Sequence, residues 1–200
     1  MKLKLKIAYS LTAVVLVAAY CVACTKLLIR QMNEIIGSYN AIDPYRYIDD
    51  EKSIFQLLAL LADASSDIDD IARQYSLKDD QLITKYDVSR QALRDGISDS
   101  TIGPIQMYRI YADFLDANSK LVKALIGANG ITSVHQSSIS RHTALINLLT
   151  EQIDMHKYNA RVQEFNEKIK KAPFVFFARI QEITALELFD SYSTEPIEAY

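Results

Sequence analysis

The chain has 200 residues, half of them apolar, which excludes intrinsic disorder and leaves room for one domain with a real core. Five glycines and four prolines are too few for a turn-rich sheet protein and favour a few long helices. Of 22 basic residues, three (Lys2, Lys4 and Lys6) precede the first apolar run; 19 basic against 25 acidic residues then remain, a balance of −6 that disfavours nucleic acid as a partner.

Residues 1–6 form a basic tip, and 7–24 run without a charge. At ~1.5 Å per residue, 18 residues make roughly 27 Å of helix, about one hydrocarbon core. Lys26 and Arg30 follow and are outweighed by the three lysines and the terminal amine, which places the N-terminus in the cytoplasm and the domain outside. A cleaved signal peptide and a lipoprotein acylated at Cys24 are the rival readings, although Cys21 stands where a lipoprotein motif expects Leu. Both cysteines end the apolar run, so the domain beyond it has neither a disulfide staple nor a thiolate metal site, and the Cys21-x-x-Cys24 spacing reads as small apolar filler.

A stripe of Leu28, Met32, Ile35 and Ile36 continues the first helix to Tyr39-Asn40, and Pro44 predicts a break near 43–46. Asp49 or Asp50 is positioned to cap the next helix, whose stripe is Ile54, Leu57, Leu61, Ala64, Ile68, Ile71 and Tyr75. It continues through Leu82, Tyr86, Leu93 and Ile97, either as one bent helix or as two joined at 76–79. The acidic run 65–70 has no calcium-loop pattern and reads as a solvated face. Gly103-Pro104 marks a loop.

Met107, Tyr111, Phe114, Asn118, Leu121 and Leu125 recur at steps of four and three, a coiled-coil seam with one amide inside it. Buried Asn118 must find a partner and thereby fixes helix register, or it contacts a polar ligand. Gly127, Gly130 and the polar run to Ser138 read as a connector. A long helix over roughly 139–172 follows, ended by Pro173. Its seam reads Met155, Tyr158, Val162, Phe165 and Ile169, with Asn159 and Asn166 one heptad apart on its shoulder. Tyr158 is expected to be buried with its hydroxyl satisfied, and the two amides to cross-link helices. The apolar stretch from Phe174 to Phe189 is a final packing helix or a membrane-surface segment, with Lys168, Lys170, Lys171 and Arg179 beside it. His135, His142 and His156 are expected in surface or capping roles, lacking metal-ligand spacing.

These features together resemble the LemA family of membrane-anchored helical proteins. The apolar anchor, Tyr39-Asn40, the Arg-Gln-Ala-Leu run at 90–93 and above all Tyr158-Asn159-x-x-Val162-x-x-Phe165-Asn166-x-x-Ile169-x-x-x-Pro173 carry the likeness. Phe165 stands where the family usually has Tyr, and Ala172 where it has Phe. The family's Arg-rich stretch followed by Pro-Asn-Leu is replaced by 57–67. The resemblance implies a long antiparallel bundle held at a membrane, with no established catalytic residue, cofactor or substrate.

The expected fold is therefore all-α: a long antiparallel bundle of about four helices over 25–190, preceded by a transmembrane helix and followed by a tail at 191–200. The expected signature residues are Tyr39, Asn40, Asn118, Tyr158, Asn159, Phe165, Asn166 and Pro173; no catalytic, metal or cofactor residue is expected. The expected partners are the lipid bilayer and membrane or envelope proteins, and an oligomer is compatible. A non-enzymatic scaffold competes with a sensor or ligand-binding bundle, whose polar gap would be lined by Asn118, Asn159 and Asn166. A hydrolase assembled from distant Asp, His and Tyr residues has no visible site to argue from.

Overall fold

The computed structural model describes residues 2–41, 51–64, 66–75, 80–99, 101–128 and 130–190. Among them it is all-α: α1 (Lys2–Asn40), α2 (Ile54–Ala64), α3 (Ser66–Gln74), α4 (Asp80–Ser98), α5 (Pro104–Ile126), α6 (Ser133–Asp154), α7 (Tyr158–Ile169) and α8 (Phe174–Ile180). The break near 43–46, the cap at Asp49 or Asp50, the junction at 76–79 and the tail 191–200 lie outside the described residues.

Side-chain pairings show that the rods are antiparallel. Arg94 reaches Asp63 at 3.5 Å and Arg73 binds Asp87, so α4 runs back along the α2–α3 arm. The region 54–97 is thus an arm and a returning helix. Lys85 meets Asp116 at 3.3 Å, and Gly96 abuts Met107, where an added Cβ would lie 3.0 Å from the thioether sulfur; α4 and α5 therefore form a hairpin. α6 returns along α2, with His142 at the Ala64 carbonyl and His156 at the Lys52 carbonyl. α7 runs back along α1, where Lys168 donates to Gln31 Oε1 at 2.7 Å.

The α5 seam is buried at all six expected positions. On α1, Leu28, Ile35 and Tyr39 enter the core, Met32 packs against it, and Ile36 faces outward. One helix, Thr12–Asn40 within the described residues, is long and apolar enough to cross a membrane. Its first nine residues are all exposed, and its second half is part of the domain core.

Three expectations are corrected. The stretch 139–172 is not one helix. α6 ends at Asp154, α7 starts at Tyr158, and Met155 is 72% exposed rather than in the seam. No glycine or proline causes this break; His156 does, because its Nδ1 accepts the Tyr158 N–H while its Nε2 meets the Lys52 carbonyl at 2.8 Å. A side chain has taken over a backbone donor that a continuous helix would pair with a carbonyl four residues back. The connector is also shorter than expected. α6 begins at Ser133, since Thr132 Oγ1 caps it by accepting the His135 N–H, and Gly130 takes the left-handed turn at φ 83°. The third correction concerns the apolar stretch from Phe174, which is helical only to Ile180. Ile183 N–H bonds back to the Ala178 carbonyl at 2.9 Å and Glu182 sits at φ 53°, a left-handed turn that ends α8 and releases the chain into an irregular run over 183–188.

Candidate functional site

The signature residues of α7 converge on that run. Asn159 Nδ2 donates to the Phe189 carbonyl at 2.9 Å, and its Oδ1 accepts the Phe189 N–H at 2.8 Å. Asn166 does the same to Leu186, with both bonds at 2.9 Å. A side-chain amide carries one acceptor and two donors, so a single Asn can satisfy both backbone groups of one residue. The spacing explains the pair. Seven helical residues rise about 10.5 Å and bring the side chain back to the same face. Three residues of extended chain span about 10 Å. Two asparagines a heptad apart therefore match two residues three apart on a segment running the other way. The expectation that these amides cross-link helices is corrected: they hold backbone without a helix of its own.

The aromatic residues complete the clasp. Tyr158 is buried, and its hydroxyl donates to the Glu187 carbonyl at 2.8 Å. Burial, with the Glu187 carboxylate nearby, pushes that hydroxyl's pKa above the ordinary tyrosine value, so it remains a donor at any physiological pH. The Phe189 ring lies 5.3 Å from Tyr108, 5.9 Å from Tyr111 and 6.2 Å from Tyr39, and Tyr39 in turn meets Phe55 edge-on at 4.8 Å and the tilted ring of Tyr158 at 5.3 Å. Phe189 is thus held by its backbone from α7 and by its ring from α1 and α5. Phe165 is buried on the same face of α7 as Tyr158. Pro173 precedes α8 through a cis Ala172–Pro173 bond, and Asn40 is exposed at the end of α1. Tyr158→Phe removes one bond and leaves the Glu187 carbonyl short of a partner; a loss of roughly 1 kcal/mol is expected, measured by chemical denaturation of the full chain in detergent.

A second polar centre links α2, α5 and α6. His142 is buried, contrary to the surface or capping role expected of the histidines. Its Nδ1 lies 3.2 Å from the Ala64 carbonyl and its Nε2 2.7 Å from Asn118 Oδ1. A carbonyl only accepts, so Nδ1 carries a proton. The Asn118 amide can turn either its oxygen or its nitrogen toward Nε2 and so serves either state of the ring. The signal was present in the sequence: His142 falls in step with Ile139, Ile146, Leu149 and Ile153, the buried face of α6. His135 is half-buried, with Nδ1 2.7 Å from the Tyr75 hydroxyl, which also accepts the Thr132 N–H.

The three asparagines do not line a common gap: Asn118 bonds to His142, while Asn159 and Asn166 hold backbone. A cleft of about 440 Å³ lies elsewhere, between α2 and α6, with Leu57, Leu148, Met155 and His156 in its walls and Glu51 at its rim. Lys157 pairs with Glu51 there at 2.7 Å. Burial of His156 outweighs its bond to Lys52 and lowers its pKa. The neutral ring is favoured in the folded chain, so its contribution to stability is complete above the unfolded value of about 6.5 and is lost as pH falls toward the lower folded value. Thermal midpoints between pH 8 and 5 should decline, and His156→Gln should flatten that part of the profile. Among the described residues, no group of three or more His, Cys, Asp or Glu side chains is placed to hold a metal ion.

The fold and the clasp define a class: an all-α bundle whose first helix is long and apolar enough to cross a membrane, closed by an irregular C-terminal run held on helix amides. No family model, no curated protein and no solved structure matches this chain.

Proposed function

We propose that this chain is a membrane-anchored bundle of the LemA type, a non-enzymatic scaffold or modulator of membrane proteins in the cell envelope. The observation that carries the reading is the continuity of α1. One unbroken helix runs from the exposed apolar residues after Thr12 to the buried ring of Tyr39. A displacement at the membrane is then passed directly to the core, and the reverse holds too. The LemA assignment is supported by the shared task of the two motif asparagines and by the Tyr39–Tyr158 ring contact, which links both Tyr-Asn pairs of the resemblance. The lysines before the apolar run support a cytoplasmic N-terminus with the bundle outside. Burial of Cys24 against the domain supports α1 as an intact anchor rather than an acylated terminus.

Partner contact is assigned to the outer face of α6 and the turn after it, where Leu145, Leu148 and Met155 are exposed, the last two lining the cleft. A photo-crosslinking residue at Leu148 in native membranes should yield a discrete higher-mass product, with no product from the same residue at Asp113. Monomer alone at both positions would contradict the scaffold reading. The competing sensor reading rests on the cleft itself. It requires a small molecule that protects the His156 region from hydrogen exchange in the purified chain.

A further inference from the structure

We propose that α8 is a membrane foot: a short helix lying in the headgroup–acyl boundary beside α1, inserted through Phe176 and Ile180. The inference rests on the reading of α1 as a membrane span, and it assigns the bilayer itself as the ligand of a second surface. α7 reaches Gln31 of α1 through Lys168, and Lys168 Nζ also lies 4.7 Å from the Phe174 ring at the start of α8. α8 packs on α1, and beyond Gln31 the buried positions on α1 are Leu28 and Cys24. Past Cys21, the described α1 side chains are exposed back to Thr12. α8 thus packs on α1 beyond Gln31, toward the Cys24 end of the uncharged run.

Its own surface is divided accordingly. Phe177 and Ala178 are buried, whereas Phe176 and Ile180, one turn apart on one face, are 62% and 72% exposed. Two large apolar side chains presented to water on a seven-residue helix have no packing explanation within the domain, and the helix it packs on, α1, is itself exposed and apolar at Val14 to Val17 and at Val22. Lys170 and Lys171 just before α8, Arg179 within it and Lys26 on α1 are exposed, as is Tyr20 on α1. Glu167 sits 3.3 Å from Lys170 and 3.9 Å from Lys171, so apolar insertion rather than attraction to anionic lipid carries the contact.

The chain contains no tryptophan, so a single introduced one reports its surroundings unambiguously. Phe176→Trp, Val15→Trp and Leu148→Trp are compared in the full chain, reconstituted in phosphatidylcholine vesicles with acyl chains brominated both near the headgroup and near the methyl end. Ile180→Trp replaces Phe176→Trp if circular dichroism shows that the first variant has lost its helices. The foot predicts strong quenching of the α8 and Val15 probes and none at Leu148. Quenching at Val15 without quenching on α8, whether the α8 emission is water-like or shifted by a covering protein, overturns the foot and leaves the anchor. Quenching on α8 without Val15 overturns the anchor, and with it the foot as a contact made beside a membrane span. Silence at both overturns both, and quenching at Leu148 as well overturns the foot as a specific contact.

Discussion

Asn166→Leu is expected to destabilise the folded chain by about 1–3 kcal/mol, because it leaves the Leu186 N–H and carbonyl without their partner in a half-buried groove. Asn159→Leu should cost a similar amount at Phe189. The double variant should cost less than the sum, since either loss already loosens the same run. Chemical denaturation in detergent reads the magnitude, and hydrogen exchange reads the cause. In Asn166→Leu the Leu186 amide should lose protection while amides on the α5 seam keep theirs. Unchanged stability with Leu186 still protected would show that the clasp holds nothing.

The second large effect is expected at the buried histidine. Asn118→Leu removes the amide that meets Nε2 of His142 between α5 and α6, and a loss of about 1–3 kcal/mol is expected. His142→Leu strands the Asn118 amide and removes the bond to the Ala64 carbonyl. The two losses should not add. Once one partner has gone, removing the other also removes an unpaired buried group, so the double variant should be more stable than the sum predicts. Additive losses in that cycle would mean the pair is not coupled and does not set the register of α5 against α6 and α2.

The helices were readable where apolar spacing alone decides them. The α5 seam, the α2–α3 stripe and the buried face of α7 at Tyr158, Val162, Phe165 and Ile169 all follow from steps of three and four. Elsewhere the deciding partner was a backbone or a distant side chain. The break after Asp154 is held by His156, which reaches Lys52 about a hundred residues earlier, and it contains no glycine or proline. The clasp was half visible: the asparagine spacing was plain, but the segment they hold is recognised through its N–H and carbonyl groups, which every residue but proline possesses. Nothing in the side chains of 183–188 announces such a partner. His142 was masked by its type, since its spacing matches the core face while histidine is more often at the surface.

The anchored-bundle account is tested most directly by accessibility in intact cells. A Cys21→Ala/Cys24→Ala chain carrying Ser119→Cys, at an exposed position of α5, is treated with a membrane-impermeant maleimide before and after permeabilisation. The account predicts full labelling in intact cells, with the protein retained in the membrane fraction after alkaline extraction and an N-terminal tag reachable only once the cells are opened. Labelling of the introduced thiol that appears only after permeabilisation, or release of the chain by alkali, would contradict it.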